Sequence, residues 1–162
     1  MTLVMPRTVI AAIQSESRRL SFFHTHTGES LSIEYWAQGS HLAGALPEIN
    51  RVLRDHYSNE VQMTDVKLLD LLHALSRRLD NKNPVHIISG YRSPETNVML
   101  AERGGGVARH SLHLQGKAVD IRIPGRDLSL VRAAALSLQC GGVGFYQKSD
   151  FVHLDTGRVR YW

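Results

Sequence analysis

The sequence predicts an α+β fold, a small antiparallel sheet with flanking helices. Three observations predict it. Strand formers surround a turn near the start of the chain, a leucine stripe at helical spacing follows, and the later part holds short strands with helical insertions. Elements therefore come in runs rather than in a strict strand–helix alternation, which is the pattern of segregated layers.

The first strand pair comes from Leu20-Ser21-Phe22-Phe23 and Leu31-Ser32-Ile33-Glu34-Tyr35-Trp36, with Thr27-Gly28-Glu29 between them. Aromatic and β-branched runs around a glycine turn predict a hairpin. Gly39 and Gly44 mark a loop. A helix is expected over residues 47–57, with Pro47 in the tolerated first turn and Ile49, Val52 and Leu53 as its apolar face. A second helix carries Leu68, Leu72, Leu75 and Leu79, with Thr64 as its cap, Asp65 in its first turn, and Arg77 and Arg78 near its C-terminal end. The leucine stripe reads as core.

Asn83-Pro84 ends that helix, and Val85-His86-Ile87-Ile88 is a short strand. Ser93-Pro94 starts a helix to about Glu102, and Gly104-Gly105-Gly106 opens a flexible loop. Residues 117–123 form the best strand of the chain. Asp127 caps a helix through Leu138, which Gly141-Gly142 stops. Short strands fit residues 143–146, 151–154 and 158–161.

The bulk numbers narrow the choices. A chain of 162 residues with 43% hydrophobic residues suits one domain with an ordinary core. No run of about 18 apolar residues occurs, so no membrane span is expected. Lys and Arg number 19 against 15 Asp and Glu, a net +4, and the basic residues are scattered. This favours acidic partners weakly, and a solvated surface explains it as well. The single cysteine, Cys140, excludes an internal disulfide and a cysteine-based metal site. It is expected as a small buried filler at a helix end. Residues 1–18 are expected to be poorly ordered, with a single domain over 19–162. The apolar stretch over 8–13 is too short for a secretion signal. Export information then lies upstream, the native start differs, or the protein stays inside.

The chemistry concentrates late in the chain. Val119, Ile121 and Ile123 alternate with Ala118, Asp120 and Arg122, so Asp120 stands on the face away from the apolar trio. A carboxylate in mid-strand needs a partner, which an arginine, a capped backbone or a metal would supply. His113 precedes the strand, and Gly116 allows the tight entry between them. In Phe151-Val152-His153-Leu154-Asp155, His153 and Asp155 share the polar face. Two imidazoles and one carboxylate, with one tetrahedral position open, have the makeup of a catalytic zinc site rather than a closed structural one.

Ser111-Leu112-His113-Leu114-Gln115-Gly116-Lys117-Ala118-Val119-Asp120 resembles the Ser-x-His-x-x-Gly-x-Ala-x-Asp signature of the D-alanyl-D-alanine carboxypeptidase-like zinc peptidases. Ser89-Gly90-Tyr91-Arg92-Ser93 matches the segment preceding it. Gly141-Gly142-Val143-Gly144-Phe145-Tyr146, then Phe151-Val152-His153-Leu154-Asp155-Thr156-Gly157, resembles the murein endopeptidase K-like branch, as does the turn His24-Thr25-His26-Thr27-Gly28-Glu29. The likeness runs from about Leu20 to Trp162.

The resemblance implies one zinc ion per chain, held by His113, Asp120 and His153 in a cleft on the sheet, and hydrolysis of peptide bonds in peptidoglycan stem peptides or cross-links. It implies that Asp150, three positions before the last ligand, or Asp155, beside it, is the catalytic base. The preference falls on Asp150, with Asp155 orienting His153. Arg92 would hold a substrate carbonyl or carboxylate, Ser111 would bond a substrate carboxylate or brace the loop, and His110 would donate to the oxyanion or be a plain loop residue. His24 and His26, at strand spacing, point the same way, and the sequence leaves their role open. His41, His56, His73 and His86 read as structural.

A wall substrate places the protein in the periplasm, and a monomer is assumed. The alternative is a non-catalytic zinc-containing wall-binding domain of the same fold. A nucleic-acid-binding domain would need clustered basic and aromatic residues. Only Arg158, Arg160, Tyr161 and Trp162 hint at one, and no nucleic-acid partner is expected.

Overall fold

The structure, a computed structural model, describes residues 16–103 and 108–162. Most of the segment 1–18 and the glycines 104–106 therefore lie outside the described residues. Strands β1 (Arg18–His24), β2 (Ser30–Ala37) and β3 (Ser40–His41) lead into helices α1 (Leu46–Val52) and α2 (Val66–Arg78). Strand β4 (Val85–Ser89), helix α3 (Pro94–Glu102), strand β5 (Ala118–Arg122) and helix α4 (Leu128–Leu138) follow. The chain closes with β6 (Gly142–Tyr146), β7 (Phe151–Asp155) and β8 (Arg160–Tyr161).

The α+β class holds, but the sheet is neither small nor purely antiparallel. Among the described residues it has eight strands in the order β3-β2-β1-β4-β5-β7-β6-β8. β1 pairs β4 in parallel, with Phe22 opposite Val85, and β6 pairs β8 in parallel. The cause is connectivity. The run from β2 through α2 carries the chain back to the start of the sheet, and a crossover of that length delivers a parallel neighbour.

One face of the sheet is apolar. Leu20, Phe22, Ile87, Val119, Ile121, Val152 and Leu154 are all buried in one core with Leu68, Leu69, Leu72 and Leu75 of α2 and Val131 and Ala135 of α4. Full burial of each such side chain stabilises by roughly 1.5–3 kcal/mol. The predicted leucine stripe is thus the helix face that covers the sheet, and the opposite face is left for polar chemistry.

Several local expectations shift. The cap of α2 is Asp65, whose side chain accepts from the Lys67 amide, rather than Thr64. The Thr64 amide is taken instead by Asn50 Oδ1 at 2.9 Å. α1 ends at Val52, because the Asp55 carboxylate captures the Tyr57 and Ser58 amides and folds the chain into a turn. Cys140 is exposed, not a buried filler. Gln139 takes a left-handed conformation (φ 51°) at the end of α4 and turns the chain outward there.

Candidate metal centre

Strand pairing assembles the site. Across β4, β5, β7 and β6, Ser89 lies opposite Asp120, Asp120 opposite His153, and His153 opposite Gly144. Directly opposed residues bring their side chains together on one face. Asp120 and His153, 33 residues apart in sequence, thus meet at 2.9 Å between His153 Nδ1 and Asp120 Oδ1.

His113 enters from a 3₁₀ turn, Leu112–Gln115, just ahead of β5. Ser111 caps that turn by accepting the His113 amide, and Gly116 ends it with φ 64°. A Cβ at Gly116 would also collide with the Met63 carbonyl, so the tight entry requires glycine on both counts. His113 Nε2 comes to 3.3 Å from Asp120 Oδ1 and 3.2 Å from His153 Nδ1. All three side chains are buried, and their ligand atoms lie within 4.8 Å of one another. Among the described residues this is the one such cluster of metal-ligating side chains.

The surrounding hydrogen bonds fix the tautomers. His113 Nδ1 lies 2.6 Å from the Gly90 carbonyl, which can only accept, so this nitrogen carries the proton. His153 Nε2 lies 3.0 Å from Asp155 Oδ2 and donates to it. In neutral rings, Nε2 of His113 and Nδ1 of His153 are then lone-pair acceptors, and both face the Asp120 carboxylate. Three acceptors converging in a buried place suit a cation between them. The donor set therefore fits a metal ion.

The titrations follow. Burial pushes the Asp120 carboxyl up, but His113, His153 and Arg92 outweigh it and hold it far below the usual carboxylate range. Burial lowers the His113 pKa and keeps that ring neutral. Burial also works against a charge on His153, yet its bonds to Asp120 and Asp155 raise its pKa.

Asp155 is fully buried behind His153. It accepts from the Gly142 and Gly157 amides at 3.0 and 2.8 Å and from Arg160 Nη2 at 2.7 Å. Its lone pairs are committed, and it does not line the cleft. Arg160, one of the residues that hinted at nucleic-acid binding, is thus engaged inside the domain.

The other predicted residues fall as follows. Arg92 Nη2 bonds Asp120 Oδ2 and its Nε donates to Ser89 at 2.9 Å. Asp150 is a left-handed turn residue whose carboxylate pairs with Arg122 Nε at 2.7 Å, and it is not among the lining residues. A cleft of about 400 Å³ opens over His113, Asp120 and His153, and Arg92, His110 and Ser111 line it. So do Tyr146 and Trp162, for which the sequence reading assigned no role here. The Trp162 ring lies 5.3 Å from the His153 ring, over the space left by Gly144. His26 and His56 line it as well. The stem His24-Thr25-His26 suggested a shared direction, but His24 ends β1 fully buried while His26 sits in the turn beyond it.

A family model described as peptidoglycan L,D-endopeptidase MepK matches residues 12–162. Peptidoglycan L,D-endopeptidase MepK of Escherichia coli (strain K12) is 40% identical over 160 residues, which cover 98% of this chain and 88% of that protein. The probable peptidoglycan L,D-endopeptidase MepK of Haemophilus influenzae is 37% identical over 161 residues, 98% of this chain and 87% of that one.

Proposed function

We infer the reaction from kinship and geometry together: the chain belongs to the peptidoglycan L,D-endopeptidase MepK family. It is a cell-wall endopeptidase, a metallopeptidase acting on the peptides of peptidoglycan. We propose that the bond it cuts is of the L,D type named for its relatives, that its metal is zinc, and that it works in the periplasm. Two imidazoles and a carboxylate around an open position suit zinc. The observation that carries the reading is the convergence of three buried acceptor atoms, of which two are set by Gly90 and Asp155.

When bound, the ion supplies the Lewis acidity that makes water a nucleophile at neutral pH. His113, Asp120 and His153 hold it. Asp155 fixes the tautomer of His153, and Arg92 braces Asp120 against its neighbour Ser89. Arg92 and His110 donate to the oxygen that gains charge on attack, and Ser111 orients the loop that carries His113. Proton transfer falls to Asp150, which stands between the lining residues Ser149 and Phe151 at the rim. Its pairing with Arg122 is solvent-exposed. Such pairs contribute only about 0–1 kcal/mol, so substrate can displace this one.

The test uses purified peptidoglycan, with zinc-loaded protein, chelated protein and His113→Ala, followed by separation of the released muropeptides. New L,D-cleaved ends that need both the metal and His113 are expected. Wall binding by the loaded protein without any new peptide ends would instead favour a non-catalytic wall-binding domain.

A further inference from the structure

Two histidines at the mouth of the cleft have no part in the reaction just described. His26, in the β1–β2 turn, and His56, after α1, stack face to face with ring centroids 4.2 Å apart and planes 2° apart. Both line the cleft with Arg92.

The stack is built from several sides. Arg54, itself buried, donates to Glu29 Oε2 at 2.6 Å and to Asn59 Oδ1 at 3.2 Å. That ion pair ties the turn bearing His26 to the segment bearing His56. Underneath, His24 is fully buried, and its Nδ1 accepts from the amides of His26 and Thr27 at 3.3 and 3.4 Å. Its ring meets His56 edge-on at 5.5 Å. Asp55, next to His56, accepts the Ser93 amide at 2.8 Å, which locks this segment to the start of α3 beside Arg92. The two imidazoles are therefore held in place before any ligand arrives, so binding spends little on ordering them.

Each imidazole carries at least one N–H donor. The remaining charged groups lining the cleft are Arg92, Arg160 and the ligand Asp120. Among the described residues no other acid lines the cleft. A peptide carboxylate fits such a wall, and a second cation does not.

We propose that the His26–His56 pair is a carboxylate subsite. It takes a free carboxylate of the substrate peptide close to the bond being cut, and it makes the enzyme favour that carboxylate over its carboxamide. The inference rests on the peptidase reading for the identity of the peptide.

The test separates the two. Metal-free protein is titrated with a peptidoglycan stem tripeptide bearing a free C-terminal carboxylate and with its C-terminal carboxamide, so that the carboxylate cannot ligate the ion instead. Wild type should bind the acid about tenfold more tightly than the amide, the scale of hydrogen bonds to a charged group. His26→Phe with His56→Phe keeps the aromatic stack and removes the donors, and it should bind both forms equally. His56→Gln should recover part of the preference. Equal binding of acid and amide by wild type, no binding of either, or an undiminished preference in the double variant overturns the subsite. Cleavage of peptidoglycan by zinc-loaded wild type is followed in parallel, and its absence counts against the peptidase reading rather than against the subsite.

Discussion

Asp120 and His153 stand directly opposite each other on adjacent antiparallel strands, with His153 Nδ1 2.9 Å from Asp120 Oδ1. The far nitrogen of the same ring donates to Asp155 at 3.0 Å. One imidazole thus bridges a carboxylate that faces the cleft and a carboxylate that never reaches it. We propose the first as a metal ligand and the second as its support.

Asp155→Asn should lower zinc affinity by about 10–100-fold, the usual effect of losing such a support. Asp155 also accepts two backbone amides and Arg160, so the variant should lose roughly 1–3 kcal/mol of stability as well. Competition with a chromogenic chelator and thermal unfolding of the metal-free protein measure the two effects separately.

Asp150→Asn should cut turnover by about 100-fold or more and leave zinc affinity unchanged, as expected for a proton-transfer group outside the ligand set. Steady-state cleavage of a cross-linked muropeptide beside a zinc titration checks this. Unchanged turnover would remove Asp150 from the mechanism.

Arg92→Lys should lower both turnover and metal affinity. A lysine keeps the charge but has one ammonium where the guanidinium reaches Asp120 and Ser89 at once. Arg92→Ala should be worse than Arg92→Lys in both assays, because the buried Asp120 carboxylate then loses its cation.

Acid should destabilise the protein in two steps. Burial, with His56 and His26 adding to it, lowers the His24 pKa to about 4. The folded state then refuses a proton that the unfolded state binds at about 6.5. Stability associated with this ring is present above that value and falls as pH drops toward 4. Burial works to raise the Asp55 pKa, but hydrogen bonds from Thr96, Ser93 and Tyr57 outweigh it and take the value to about 2. Its contribution is present above about pH 4 and is lost as pH falls toward 2, by about 2 kcal/mol in all. Urea unfolding across pH should show both slopes. Asp55→Asn should flatten the lower one, and His24→Gln the upper.

Trp162 should report on the metal. Its ring lies 5.3 Å from that of His153, and its Nε1 donates to the Tyr146 hydroxyl at 2.9 Å. Adding cobalt to the metal-free protein should quench part of the tryptophan emission in wild type and leave Trp162→Phe, which keeps only Trp36, nearly unchanged.

The sequence by itself determined the parity of β5 and β7, the leucine face of α2 and the glycine-permitted entry at Gly116, because side-chain alternation and helical period are local properties of the chain. From these it could name Asp120, His153 and Asp155 as polar residues on the strand faces away from the core, with His113 at the entry to β5. Only the tertiary structure decided which strands are neighbours and in what register. That choice puts Asp120 against His153, sends Asp155 behind the ring, carries the Asp150 carboxylate to Arg122, and stacks His26 on His56 across two separate segments. Register and crossover depend on how the whole sheet packs under α2 and α4, and a shift of one residue along β5 or β7 would turn Asp120, or His153 and Asp155, to the other face.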